Sequence, residues 1–382
     1  MKQSLSRRVF MSVAAAGASG LVLNGTGQAA GVTPAMRSRA LAGDPFILGV
    51  ASGDPSQDGV VLWTRLALDP FGLNGRGAMP ARDVEVRWQL AADERFTKVV
   101  RSGSATAGWQ RAHSVHVELE GLEPGREYYR FRAEGHLSPP GRTRTAPAAD
   151  AAPSPLTFAV AACAHYEHGY YTAYRRLAEQ EPELVVHLGD YMYEYAPQGY
   201  TAIGGAVRQH TPGKCETLAD YRMRHAQYKS DPDLQAARAA PWLVAFDDHE
   251  VENNWAAGVS STGAPAFARR RANAFRAYYE NMPLRRSSVP GGASMRVHRR
   301  VDWGRWPGST CSTPASSATT RPARTASGRA ATNGWRRSAP CWARTSGAGC
   351  STGSRPPRPG GTWSASRSSW PSATTGWDRA PR

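Results

Sequence analysis

Three segments of the chain each close an apolar run with side chains able to hold a cation. Cys163-Ala164-His165 follows residues 156–162, Gly189-Asp190-Tyr191-Met192-Tyr193 follows residues 184–188, and Asp247-Asp248-His249-Glu250 follows residues 242–246. Each run has the length and apolar content of a buried strand. Side chains just past the carboxyl ends of such strands line the ligand crevice of an open α/β sheet. The segments therefore bring a thiol, two carboxylates, a phenol and an imidazole towards one place. Thiol, carboxylate, phenol and imidazole groups are all side chains that metal ions accept as ligands. Each residue also has a plain structural explanation. Cys163 is a strand-end thiol or a partner for Cys215, Asp190 a helix cap, Tyr193 a packed aromatic, and Asp248 with His249 a cap and a core histidine. The order and spacing of the whole set favour the site.

Such segments need a sheet and helices to hold them. Residues 169–180 put Tyr170, Tyr174 and Leu177 at helical spacing, residues 218–229 suit a second helix, and residues 265–280 suit a basic amphipathic one. Strand and helix alternate here, which predicts an α/β (α+β) core over residues 155–303. His187, beside Gly189-Asp190, is expected to be structural; His168, His210 and His225 have no partner pattern.

Residues 45–147 read differently. Runs at 45–50, 59–65, 84–90, 114–119 and 128–132 are β-branched or aromatic, and several alternate polar with apolar. They predict an all-β sandwich of Ig or fibronectin-III type at 44–147, with Leu122 to Tyr129 as its turn and tyrosine corner. His113 and His116 fall on its strand surface. A Pro/Ala-rich linker at 145–155 separates it from the core.

The donor set resembles the metallophosphoesterase pattern D-x-H, G-D and G-N-H-E/D, in the form carried by the alkaline phosphatase D family. Ser52-Gly53-Asp54-Pro55, Trp63-Thr64-Arg65, Tyr191-Met192-Tyr193-Glu194-Tyr195 and Asp247-Asp248-His249-Glu250-Val251 carry the likeness, which covers residues 44–303. The resemblance implies a metallophosphoesterase sandwich core and Fe3+ paired with Ca2+. It also implies hydrolysis of phosphate monoesters and diesters by a hydroxide activated between two metals. By position, Cys163 and Tyr193 then ligate iron, Asp190 bridges the metals and Asp248 holds the harder ion. His249 stands near the leaving-group oxygen as proton donor or electrostatic stabiliser. Mn2+ or Zn2+ would also suit these donors. His165 departs from the family, where Gln or Asn is expected, and a surface role is expected for it. The family completes its site with later histidines and an Asp-x-His-like pair, whereas the last histidine here is His298. Each metal would lack part of its shell. Impaired activity and an incompletely folded catalytic part are the expectation.

The formal charge of +16 is unevenly placed. Residues 304–382 hold 12 Arg, no Lys and one acid, Asp378, whereas the first 303 residues carry 35 basic and 30 acidic side chains. Specific nucleic-acid recognition is therefore not expected of the body. The tail has six Trp but no Leu, Ile, Val, Met, Phe or Tyr, so it cannot build a core. A disordered segment is ordinarily poor in Trp. Its residues are those that GC-rich DNA yields out of frame, and 304–382 is expected to be a frame-shifted, disordered tail. The other reading is an Arg-rich polyanion-binding tail, whose binding would weaken with salt.

At the other end, Ser6-Arg7-Arg8 precedes a mildly apolar stretch at 13–23 and then small residues to Ala30. This is the layout of a twin-arginine-type signal peptide at 1–30. It implies the twin-arginine translocation machinery as a partner and a periplasmic or extracellular location. The stretch is too short for a stable membrane span. Two of the five cysteines lie in the first 303 residues, which is no disulfide framework. Against the enzyme stand a non-catalytic secreted binding protein, with the sandwich as its working part, and an inactive truncated remnant.

Overall fold

The computed structural model describes residues 41–152, 155–256, 258–304, 306–311 and 363–365. The signal expected at 1–30 and most of the tail expected at 304–382 lie outside the described residues. Eight strands come first: β1 (Val50–Gly53), β2 (Val60–Arg65), β3 (Val84–Ala91), β4 (Val99–Ala107), β5 (Ser114–Leu119), β6 (Arg126–Ala133), β7 (His136–Leu137) and β8 (Gly141–Arg144). Burial in β3 follows its alternation, with Val84, Val86, Trp88 and Leu90 inside and Glu85 and Arg87 outside. One sheet runs β4-β3-β6-β7, with β8 also paired to β6. Its inner face packs on Val60 and Leu62 of β2 and on Val115 and Val117 of β5.

The second sheet crosses the expected domain boundary. After residue 155 come β9 (Phe158–Ala161), α1 (Thr172–Glu179), β10 (Leu184–His187), α2 (Leu218–Lys229), β11 (Pro241–Val244) and α3 (Phe267–Asn281). The order β5-β2-β1-β11-β10-β9 joins strands from both sides of the linker. The joint is a parallel pairing of β1 with β11, Ser52 opposite Pro241 and Gly53 opposite Trp242. A glycine is required there, because a Cβ on Gly53 would lie 2.5 Å from the Pro283 carbonyl oxygen and 2.7 Å from that of Trp242.

All six residues of β2 are consequently buried, and the strand is a partition between two cores. Val60 and Leu62 belong to the sandwich core, whereas Trp63 belongs to the core formed by the helices. This corrects the surface placement of two histidines. His113 is fully buried, with Nε2 2.9 Å from the Arg82 carbonyl oxygen. The His116 ring stacks on Tyr279 at 4.4 Å, and its Nε2 lies 3.0 Å from the carbonyl oxygens of both Tyr279 and Met282. The face of β5 that would be solvated in a lone sandwich is covered by the end of α3.

α2 begins at a capping box, in which Asp220 N–H donates to Thr217 Oγ1 at 3.3 Å and Thr217 N–H donates to Asp220 Oδ2 at 2.8 Å. It is buried over most of its length, so its charged residues need partners. Arg222 meets Glu280 of α3 through two bonds of 2.6 Å. Beyond α3, β12 (Arg299–Trp303) pairs antiparallel with β13 (Trp306–Cys311), which pairs parallel with β14 (Trp363–Ala365). Two short segments of the compositionally odd tail are thus strands.

Candidate metal centre

The three donor segments meet because three neighbouring strands end together. β10 lies between β9 and β11, all parallel. The turns after them are tightly drawn. Cys163 and Asp190 both take left-handed backbone angles, φ 58° and 54°. Non-glycine residues adopt that region at a cost of about 1–3 kcal/mol, and such strain concentrates at functional sites. Between them, Gly189 has φ 111°, and a Cβ there would lie 2.5 Å from the Asp247 nitrogen. Cys163 N–H donates to the Gly189 carbonyl at 3.2 Å and Ala164 N–H to that of Asp190 at 2.8 Å. Glu250 ties in the third turn, accepting from Tyr191 N–H at 2.6 Å and from Asp247 N–H at 2.9 Å.

Asp190 is the hub. Its Oδ2 accepts from the Cys163 thiol and from the Tyr193 hydroxyl, each at 3.3 Å. Asp190, Asp248 and His249 each bring one ligand atom within 4.8 Å of the others. The five expected site residues, Cys163, Asp190, Tyr193, Asp248 and His249, are therefore gathered at one place. Asp190 is nearly buried, and burial, reinforced by the charges of Asp247 and Asp248 against the opposing pull of His249, pushes its pKa up to about 6. The Tyr193 phenol is held far above its usual range, first by burial and then by the Asp190 charge.

His249 is oriented from behind. Its Nδ1 lies 2.9 Å from Oε2 of Glu194, a fully buried carboxylate whose Oε1 accepts from Asn253 N–H at 2.8 Å. Burial alone lowers the His249 pKa. The hydrogen bond and charge of Glu194, helped by Asp248 and Asp190, outweigh it and raise the value to about 9. The bond orients the ring, with Nδ1 towards Glu194 and Nε2 on the side of Asp248, 3.9 Å from its Oδ1. Buried Arg224 staples the same segment, donating to the Tyr193 carbonyl, to that of Tyr195 at 2.8 Å and to that of Gly213 at 3.1 Å.

Other expectations change. His165 is not on the surface: it is only 6% exposed, and its ring lies 4.3 Å from that of Tyr193. Tyr193 also meets the His249 ring at 4.1 Å, so the phenol ring contacts two imidazoles. Cys163 and Cys215 are not joined in a disulfide: the first is exposed and the second buried. His187 is fully buried and hydrogen bonds Tyr174 Oη at 3.1 Å. Sequence reasoning assigned no role to Glu194, Glu250 or Arg224. Two of them stand inside the quoted motifs, and that adjacency was the available signal.

The donors fit a cation pair. A thiol and a phenol converge on one carboxylate oxygen, a second carboxylate stands beside it, and Cys163 and Asp248 leave one side open to solvent. Such a mixed sheet puts this candidate metal site at the carboxyl ends of its parallel strands, where open α/β sheets bind ligands. Comparison narrows the assignment. Residues 31–147 match the model for the PhoD-like phosphatase N-terminal domain, and residues 158–307 match the PhoD-like phosphatase model. Alkaline phosphatase D of Bacillus subtilis (strain 168) is 55% identical over 264 residues, which is 68% of this chain and 45% of that protein. A solved structure of PhoD is similar with a TM-score of 0.70 and 51% identity, over 72% of this chain and 53% of that one. This chain belongs to the alkaline phosphatase D family. It spans about half the length of the relatives it matches. The family match ends at residue 307, close to residue 304, where the composition changes.

Proposed function

We propose that the centre is that of an exported phosphoric ester hydrolase acting on phosphate monoesters and diesters, impaired in this chain. The observation that carries the reading is the convergence of the Cys163 thiol and the Tyr193 hydroxyl on Asp190 Oδ2, with Asp248 and His249 alongside. Cys163, Asp190 and Tyr193 would hold Fe3+, and Asp190 with Asp248 would hold Ca2+; Mn2+ and Zn2+ are the alternatives. When bound, such cations supply positive charge against phosphoryl oxygens and lower the pKa of water.

The chain's own residues do the rest. His249, kept protonated by Glu194, presents Nε2–H to an oxygen anion or a departing alcohol. Asp190 and Asp248 give the negative charge that a cation pair needs, while Arg224 and Glu250 keep the turns in register. Impairment is part of the proposal because residues 304–382, nearly all beyond the family match that ends at residue 307, offer Arg, Ser, Thr and Trp in place of histidine. Export rests on the Arg7-Arg8 segment, and the division into a sandwich at 44–147 and a catalytic part at 155–303 on the two family matches. No helix among the described residues is long and apolar enough to cross a membrane.

The test is metal content by mass spectrometry alongside hydrolysis of 4-nitrophenyl phosphate and its bis ester. Iron retained at one equivalent, with slow turnover abolished by His249→Ala, supports the reading. A chain that retains no metal after purification with added Fe3+ and Ca2+ defeats it.

A further inference from the structure

Outward from His249 the aromatic contacts continue. The Tyr195 ring lies 5.4 Å from that of His249, Tyr200 lies 5.7 Å from Tyr195, and His168 lies 5.1 Å from Tyr200. His165 joins the row, its ring 5.6 Å from that of Tyr200 and stacked at 3.8 Å on His168. These residues come from two separate segments, tied where His168 Nε2 meets the Tyr200 carbonyl oxygen at 3.2 Å.

The row is not filled core. Tyr191 and Tyr193 are buried, but Tyr195 is half-buried and Tyr200 is 53% exposed. Aromatic side chains are thus left partly exposed in continuity with the donor set. Within the row, the Nε2 of His165 has no hydrogen-bond partner among the described residues, although the side chain is almost wholly buried.

We infer that Tyr195, Tyr200 and His168 form a ledge that receives a flat aromatic group carried by the phosphate ester bound at the metal centre. The inference rests on the phosphoesterase reading and adds the chemistry of the ester's organic half. Neutral aromatic rings suit the ledge because offset and edge-to-face contacts with Tyr and His need no charge on the ligand. Tyr200 covers the outer face of the bound ring, and Tyr195 keeps it beside His249.

The experiment is calorimetric titration of the full chain, with Fe3+ and Ca2+ added, using phenylphosphonate and methylphosphonate. Neither is an ester, so the measurement needs no turnover. Phenylphosphonate should bind about tenfold more tightly, as expected for one or two aromatic contacts. Tyr200→Ala and Tyr195→Ala should each bring the ratio towards one. Equal affinity for the two phosphonates in the unaltered chain, or a ratio that survives both substitutions, overturns the ledge and leaves the phosphoesterase reading standing. Failure of both phosphonates to bind overturns the two together.

Discussion

Glu194 Oε2 and His249 Nδ1 lie 2.9 Å apart, and the carboxylate has no solvent exposure. With its other oxygen on the Asn253 N–H, Glu194 accepts two hydrogen bonds that water cannot replace. Glu194→Ala should therefore cost roughly 3–6 kcal/mol in urea unfolding, since hydrogen bonds to charged groups contribute about 1.5–3 kcal/mol each. Glu194→Gln should cost about half as much, because its single carbonyl oxygen serves only one of the two donors. Equal losses for the two variants would show that cavity formation, not hydrogen bonding, dominates there.

Iron binding should depend on the pair of donors that meet Asp190. Thiolate and phenolate ligands give Fe3+ an intense visible charge-transfer absorption. Titration with Fe3+ should therefore colour the protein, and Tyr193→Phe should shift or abolish the band. Loss of a second-sphere partner already weakens metal binding about 10- to 100-fold, so removing Cys163 or Tyr193 should weaken it at least that much. Colour unchanged in both variants would place the iron elsewhere.

The stability of the chain should climb with pH in two windows. Burial, with the Lys229 charge behind it, holds the His187 pKa down at about 3. The unfolded chain therefore binds the extra proton first, between the ordinary histidine value of about 6.5 and the folded one. That contribution is whole above the unfolded value and is lost as pH falls, by up to about 1.4 kcal/mol per unit. Lys229, with its ammonium over the Trp63 ring at 4.5 Å, is lowered to about 7, chiefly by burial and then by Arg65. Here too the folded value lies below the unfolded one, so stability rises from about pH 7 to about 10.5. Urea midpoints should follow both slopes; His187→Gln should flatten the acidic one and Lys229→Met the alkaline one.

Gly189 and Gly204 both have positive φ, 111° and 103°. A Cβ on Gly189 would strike Asp247, whereas one on Gly204 would meet nothing within 4 Å. Gly204→Ala should cost only the backbone term, about 1 kcal/mol. Gly189→Ala adds the collision and should cost about 3 kcal/mol or more. A comparable thermal shift for the two would mean that the turn between β10 and Asp190 yields without strain.

What the sequence made legible is local. Each apolar run and its donor residues are contiguous, so Cys163, Asp190 and Asp248 could be placed at strand ends from pattern alone. The same segments carried Tyr193 and His249 to the site, and the family likeness added the role expected of each. Glu194 and Glu250 act across 55 and 59 residues, so their adjacency to the donors in the motifs signals involvement but not which partner each supports. His165 was misread for the same reason: its burial is decided by Tyr193, Tyr200 and His210, which other segments supply. The sharing of one sheet between the sandwich and the α/β strands was hidden as well. β1 finds its parallel partner β11 far along the chain, and a short strand carries no sign of which neighbour it will take.

That shared sheet should make residues 44–147 and 155–303 unfold together. Trp63 is 1% exposed, packs with the helical core and donates from Nε1 to the Glu280 carbonyl at 3.2 Å. Its strand neighbours Val60 and Leu62 face the other core. Loss of either core exposes one face of β2 and so weakens the other. Calorimetry of the full chain should show one transition for these residues, and Trp63→Ala should lower it by about 3–5 kcal/mol, as for a large buried aromatic. Fragment 44–147 alone would expose Trp63 and the β1 edge, so it should be far less stable or associate. Two separate transitions, only one of them moved by Trp63→Ala, would mean that the β1–β11 joint transmits little energy between the halves.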